Sequence, residues 1–332
     1  MADKTIVPDP DVFLVTQDYT PDWQSLLRYQ TLKRTESFVP SDEQQFEAYE
    51  AGHITAMLME SDRPNPLFRA PVGSHPQHIL DIGTGKGSWP IDVADIFPSA
   101  TVRGVDLYPP PVTWMPPNCI LEVDDVLQEW TWQQPFDLIH MRIMDAAFTA
   151  EERERLYEQC YKNLRPGGWI EQLELSPEFM CDDGSLPSDS PAAHLGKLCI
   201  EAAEKSGRTM DLYHNCEKLI EKAGFTDVHV HECKWPLGPW ARDKVLKEVG
   251  TVNLAHWSAG MEGYAMYLLT KYGEPQPWSK EEVMVYVAKV RKDLANPRHH
   301  VYHRAKRVWA QKPVSDAKED TATPEIKTEQ TD

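Results

Sequence analysis

The chain has 332 residues, with 34 Lys and Arg against 52 Asp and Glu and a formal net charge of -18. That acidic excess excludes a general binder of nucleic acid or of anionic membrane, since such binders gain affinity by displacing counterions from phosphates. Hydrophobic residues at 41% and charged residues at 26% match an ordinary globular protein and exclude wholesale disorder.

Met1 to Pro10 holds Asp3, Pro8 and Asp9 where a secretory leader needs a basic start and an apolar stretch. No apolar run approaches the ~20 residues that span a bilayer, so a cytoplasmic protein is expected. Residues 1–20 are polar and residues 313–332 are acidic with almost no apolar side chain, so both ends are expected to be disordered. Residues 21–76 read as an N-terminal helical segment and linker. Ser41-Asp42-Glu43 ahead of Phe46, Tyr49, Ile54, Met57 and Leu58 predicts a capped amphipathic helix, and a Pro-rich linker runs from Asp62 to Pro76.

Residues 77–235 alternate between strand and helix. Short apolar strands are predicted at 78–82, 101–105, 120–123, 136–140, 169–175 and 228–233, with helices at 88–97 and 151–164; Pro90 falls in a tolerated first turn and Pro98 is a stop. This alternation predicts an α/β fold with a parallel sheet and right-handed crossovers. Residues 236–298 read as a helical insertion that caps the core, and residues 299–312 as its last strand.

The most informative segment is Asp81-Ile82-Gly83-Thr84-Gly85-Lys86-Gly87-Ser88. A strand runs into a glycine-rich loop that opens a helix, so the backbone can turn sharply and approach a ligand closely, and helix-terminal N–H groups favour an anion. The next strand ends Gly104-Val105-Asp106-Leu107, placing an acid where it can accept hydrogen bonds from two ribose hydroxyls. The third ends Val123-Asp124-Asp125-Val126, with acceptors for an adenine amino group. Such an order along one sheet edge describes a nucleoside ligand lying across the strands. A nicotinamide site favours G-x-G-x-x-G, whose third glycine would fall at Ser88. The sequence instead carries Asp81-x-Gly83-x-Gly85-x-Gly87, which resembles the first motif of class I S-adenosylmethionine-dependent methyltransferases.

Further phrases narrow the resemblance. LDIGTGKGSWPIDVADIFPSA, GVDLYPP, EVDDV, EWTW, PFDLIHMR, NLRPGGWIEQLEL, KAGFTDV and WAQKP are similar to the LaeA-like fungal methyltransferases, and from the first to the last they span the greater part of the chain. Lys86 departs from a usual threonine, and Ala48 stands where a frequent arginine would be. The resemblance implies a Rossmann-like, mostly parallel seven-stranded sheet with an antiparallel last strand and helices on both faces. It also implies S-adenosyl-L-methionine as cofactor, with Asp81, Gly83, Thr84, Gly85, Gly87, Asp106, Leu107, Asp124, Asp125, Val126 and His140 as candidate binding residues.

In that fold Asp81 serves the methionine ammonium and His140 faces the transferred methyl group. His140 is thus the candidate catalytic base, against the alternative that His140 and Arg142 bond local carbonyls and shape the pocket floor. Trp114, Trp130 and Trp132 are candidates either for stacking on adenine or an aromatic acceptor or for core packing. Trp240, His256, Trp257, Met261, Tyr264, Met266 and Tyr267 in the insertion suit an apolar acceptor pocket or helix core. The six scattered cysteines and the cluster His299, His300 and His303 lack the spacing of a metal site, so no metal is expected.

Three functions stay open on these grounds. One is a methyltransferase of secondary metabolism with a small-molecule acceptor, which the surplus aromatics favour. Another is a LaeA-like regulator acting through protein partners, for which a nuclear location is expected. The last is a donor-binding scaffold without turnover.

Overall fold

The computed structural model describes residues 31–32, 35–36 and 39–314; the disorder expected for residues 1–20 and for the tail beyond 314 lies outside the described residues. Two short strands, β1 (Thr31–Leu32) and β2 (Thr35–Glu36), pair antiparallel. The helix α1 (Glu43–Met59) follows, its N-cap Asp42 accepting a hydrogen bond from the Gln45 N–H at 3.0 Å.

Seven strands build one sheet: β3 (His78–Ile82), β4 (Thr101–Asp106), β5 (Cys119–Val123), β6 (Phe136–Arg142), β7 (Leu164–Leu175), β8 (Thr226–Pro236) and β9 (Tyr302–Gln311). Their order is β5-β4-β3-β6-β7-β9-β8. β9 runs antiparallel to both neighbours, and β3 to β7 pair in parallel. The centres of β3 and β6 are apolar because both faces are covered: Ile79, Leu80, Leu138 and Ile139 are fully buried. The connections include α2 (Ser88–Ile96), α3 (Ala150–Asn163), α4 (Pro191–Lys205) and α5 (Leu212–Lys222). Local chemistry sets several boundaries: Gly87 opens α2 in the left-handed conformation, and Thr149 and Glu152 close a reciprocal capping box on α3. Strand order reverses beside β3, where a crevice opens at the carboxyl ends of the strands.

Between β8 and β9 stand α6 (Lys244–Tyr272) and α7 (Lys280–Ala295), the expected helical insertion. The cap, however, extends beyond residues 236–298. One apolar cluster joins Ala56 and Met59 of α1, Leu195 and Cys199 of α4, Met261 and Ala265 of α6, and Val287 and Val290 of α7. Helix α4, read from sequence as part of the 77–235 core, packs in this cluster between the insertion and the sheet, since Leu173 and Leu175 of β7 and Ala305 of β9 belong to it as well.

The face that α1 buries also differs from the expectation. Ile54 is 41% exposed, whereas Gln45, Ala48, Gly52, His53 and Ala56 are buried. Small residues let α1 approach α6 closely. A Cβ on Gly263 would lie 2.4 Å from Pro40, and one on Gly52 would lie 3.0 Å from the His256 ring. The near approach permits two bonds between the helices, from His256 Nδ1–H to the Ala48 carbonyl at 2.7 Å and from Gln44 Nε2 to the Ala259 carbonyl at 2.9 Å.

Candidate active site

The loop from β3 to α2 takes left-handed backbone at Gly83 and Gly85, with φ of 71° and 56°. A Cβ on Gly83 would meet Met144 Sδ at 2.6 Å, so this turn accepts only glycine without rearrangement. The N–H groups of Gly83 and Thr84 donate to the Val105 carbonyl at 2.9 and 3.1 Å, and the Gly85 N–H donates to Asp106 Oδ2 at 2.7 Å. The Asp106 carboxylate therefore fastens the glycine loop to the tip of β4. Burial raises its pKa above the ordinary carboxyl value against the opposing pull of these N–H donors.

Gly83, Thr84, Gly85, Asp106, Leu107, Asp124, Asp125 and Val126 all border one cavity of about 260 Å³ at the carboxyl edge of the sheet. Its opposite wall comes from the cap, through Gln45 and Tyr49 of α1 and His256, Trp257, Met261 and Tyr264 of α6. The four α6 residues were legible in the sequence as an aromatic surplus. Gln45 and the site role of Tyr49 were not, because nothing local marks the helix face that meets the glycine loop. Tyr49 packs on that loop: a Cβ on Gly85 would touch its ring at 3.0 Å.

Three sequence candidates sit elsewhere. Asp81 and His140 form a buried pair beneath the cavity, with Asp81 Oδ1 2.7 Å from His140 Nδ1. The imidazole lies flat on Trp89, with ring centroids 3.8 Å apart and planes 3° apart. Burial lowers the His140 pKa, so the neutral ring donates Nδ1–H to Asp81. Neither side chain borders the cavity; the pair lies one layer below it, so the structure does not bring His140 and Asp81 together with the other candidate donor-site residues. The cause is strand length. β6 continues two residues past the expected end, leaving His140 inside the sheet and bringing Arg142 to the rim. Gly87 acts through its backbone, opening α2 with φ 89° against Leu121.

Arg142 borders the cavity. Its guanidinium only donates, so Nη1 bonds to His53 Nδ1 at 3.3 Å and leaves His53 Nε2–H to donate to Asp92 Oδ2 at 2.9 Å. Burial lowers its pKa to about 10, and it stays cationic at neutral pH. After β6 the chain makes a tight turn with positive φ at two non-glycine residues, Ile143 at 54° and Ala146 at 52°. This turn presents Met144 and Asp145 to the same cavity. Sequence reasoning missed Asp145, whose one signal was an acid just beyond a strand end.

Of the three tryptophans weighed for stacking or for core packing, Trp130 and Trp132 pack and Trp114 does not. Trp114 is 69% exposed, and Trp130 and Trp132 pack edge to face at 5.1 Å with Trp132 against Phe136. Trp240 is buried away from the cavity and donates to the Val301 carbonyl at 2.8 Å. The clustered histidines have separate local partners, His299 the Asp293 carbonyl, His300 Asp183 and His303 Asn253. Among the described residues, no three His, Cys, Asp or Glu side chains are grouped to hold a metal ion, and no helix is long and apolar enough to cross a membrane.

A methyltransferase-domain family model matches residues 79–168. The chain is 37% identical over 275 residues to methyltransferase pytC of Aspergillus terreus, covering 82% of each chain. The chain belongs to the LaeA-like class I methyltransferases. It is also 32% identical to probable methyltransferase tdiE of Emericella nidulans, over 75% of this chain and 77% of that one. A third relative is the secondary metabolism regulator LAE1 of Cochliobolus heterostrophus, 33% identical over 74% of this chain and 81% of that one.

S-adenosylmethionine is the methyl donor of this enzyme, and the cavity edge fits it. Thr84 Oγ1 on the glycine loop is a buried hydroxyl without a hydrogen-bond partner among the described residues, and carboxylates stand at the tip of β4 and just after β5.

Proposed function

We propose that the enzyme methylates a small, partly apolar molecule of secondary metabolism, with the donor held by Gly83, Thr84, Gly85, Asp106, Leu107, Asp124, Asp125 and Val126. The observation that carries this reading is the roof of the cavity. The sheet edge is faced at close range by Tyr49, Trp257, Met261 and Tyr264, so the acceptor has to enter a space walled by aromatic and thioether groups. About 260 Å³ lies below the roughly 300–1,000 Å³ of ordinary small-ligand pockets. The reacting atom of the acceptor has to meet the donor inside this walled space, which supports a small molecule over the surface of a folded protein.

Methyl transfer is an in-line displacement at the sulfonium-bound carbon, and the donor supplies the activated methyl group. The contribution of the chain is to align the two reactants and keep water out. In this reading Asp106 accepts from the ribose hydroxyls, and the acids after β5 accept from the adenine amino group. The Arg142 cation at the rim serves a carboxylate.

A direct test incubates the purified enzyme with tritium-labelled S-adenosylmethionine and a whole extract of a producing strain lacking the gene, then separates the products by size. Label in the small-molecule fraction is the expected result. Label confined to protein would replace this reading by the regulatory one.

A further inference from the structure

We propose that Asp145 takes the proton of the methyl acceptor, which is therefore a weakly acidic O–H of the phenol or enol class. The inference rests on the small-acceptor reading above and adds the chemistry of its reacting atom.

The turn after β6 is built to hold Asp145 where it is. Left-handed backbone at the β-branched Ile143 and again at Ala146 is costly and persists only where the surroundings enforce it. Here they do. The Ile143 N–H donates to the Leu173 carbonyl at 2.8 Å, the Ala146 N–H donates to the Thr209 carbonyl at 2.8 Å, and the Met144 N–H donates to both oxygens of buried Glu174 at 3.0 and 3.2 Å. Two arginines bind the outward carbonyls, Arg153 that of Met144 and Arg208 that of Ala146, each at 3.2 Å. Three backbone N–H groups and two arginines thus fix a turn whose product is one carboxylate at the cavity wall.

That carboxylate is 9% exposed and borders the cavity alongside the glycine loop and Arg142. Its Oδ1 accepts the Leu212 N–H at the start of α5 at 3.3 Å, leaving Oδ2 without a hydrogen bond among the described residues. The charged groups around it are Glu174 on β7, Arg153 on α3, and Arg208 and Asp211 ahead of α5. Burial and then the Glu174 charge raise the affinity of Asp145 for a proton, opposed by Arg153 and the Leu212 N–H. A carboxylate so placed is a stronger base than an exposed one, as a proton-abstracting group requires.

The step balances simply. A lone pair on the acceptor oxygen forms the new O–CH₃ bond, the S–CH₃ bond breaks with its electrons passing to sulfur, and the acceptor proton moves to Asp145 and later to solvent. A thioether acceptor would have no proton to give, and an amine would attack as the free base. A buried base on the wall fits an O–H that is weakly ionised at neutral pH.

The test uses Asp145→Asn, which keeps the Leu212 contact, and Glu174→Gln, which removes the neighbouring charge. Rates are measured with the same labelled donor and extract. The expected result for Asp145→Asn is a loss of about 10²–10⁴-fold, with affinity for S-adenosylhomocysteine within threefold of the parent, which also shows that the variant is folded. The acidic limb of the pH profile should move to lower pH in Glu174→Gln. An infrared difference titration should show a protonated-carboxyl band that Asp145→Asn lacks. The labelled product should yield methyl iodide on treatment with hydriodic acid, as an O-methyl group does.

Turnover of Asp145→Asn within threefold of the parent, or an acidic limb unmoved in Glu174→Gln, overturns the role of Asp145. A labelled methyl group that resists hydriodic acid overturns the acceptor class. If label enters only protein, the small-acceptor reading fails and the acceptor class fails with it. The same two variants then decide whether the base survives on that acceptor.

Discussion

At the scale of single residues, Asp106 is the clearest target because it has two tasks. It anchors the Gly85 and Tyr108 N–H groups and faces the cavity. Asp106→Ala should weaken S-adenosylhomocysteine binding by at least tenfold in titration calorimetry, since each hydrogen bond to a charged group contributes about 1.5–3 kcal/mol. Unchanged affinity would remove Asp106 from the donor site. Asp145 and Glu174 lead to a second expectation, about stability. Burial raises both folded-state pKa values, so between the unfolded value near 4 and the folded value the native state binds more protons than the unfolded chain. Stability from this pair is therefore full at low pH and lost as pH rises. Asp145→Asn should melt at a higher temperature than the parent at pH 8, with the gap closing toward pH 5. A gap independent of pH would show that the Asp145 charge is not what costs stability. An active-site group that destabilises its own fold is the usual form of the trade between stability and activity.

At the scale of elements, sequence and structure agree wherever the cause is local. The strands around the glycine loop were legible as apolar runs bounded by turns, and α3 as a run with Leu156, Cys160 and Leu164 on one face, because both signals lie within about a dozen residues. The acids at the tips of β4 and β5 were legible for the same reason. The end of β6 was not. Met141 and Arg142 extend the strand because β3 on one side and β7 on the other supply partners, and that pairing moved His140 from the supposed methyl position into a buried stack. Nor was the pairing of α1 with α6 legible, since Ala48, Gly52, Gly260 and Gly263 are small residues more than 200 positions apart, and no window of sequence joins them. Their size should matter greatly. Gly263→Val would drive a side chain into Pro40, and overpacking of this kind costs about 1–3 kcal/mol. The midpoint of urea unfolding should fall accordingly, and acceptor KM should rise as α1 is pushed off the roof. A variant with the parent midpoint would mean that α1 yields without cost.

At the scale of the whole molecule, a single apolar cluster ties α1, α4, α6 and α7 together, although they come from three separate stretches of chain. The same cluster also takes in Leu173 and Leu175 of β7, Trp235 of β8 and Ala305 of β9, so the cap is rooted on that side of the sheet, and motion over the glycine loop is expected to carry its helices together. The cavity of about 260 Å³ is smaller than the roughly 300–1,000 Å³ of ordinary ligand sites, and Tyr49 rests on the glycine loop at its wall. The cap is expected to lift from the sheet edge on ligand entry and to settle again to exclude water during turnover. Hydrogen exchange with and without S-adenosylhomocysteine measures this directly. Amides in α1 and in α6 between Leu254 and Tyr264 should slow together by about tenfold or more in the bound state, because one ligand shifts one opening equilibrium. Amides of β3 and β6, fully buried in either state, should change little. Protection of α6 alone would show two lids that close separately, and the single apolar cluster would then be only a resting contact between them.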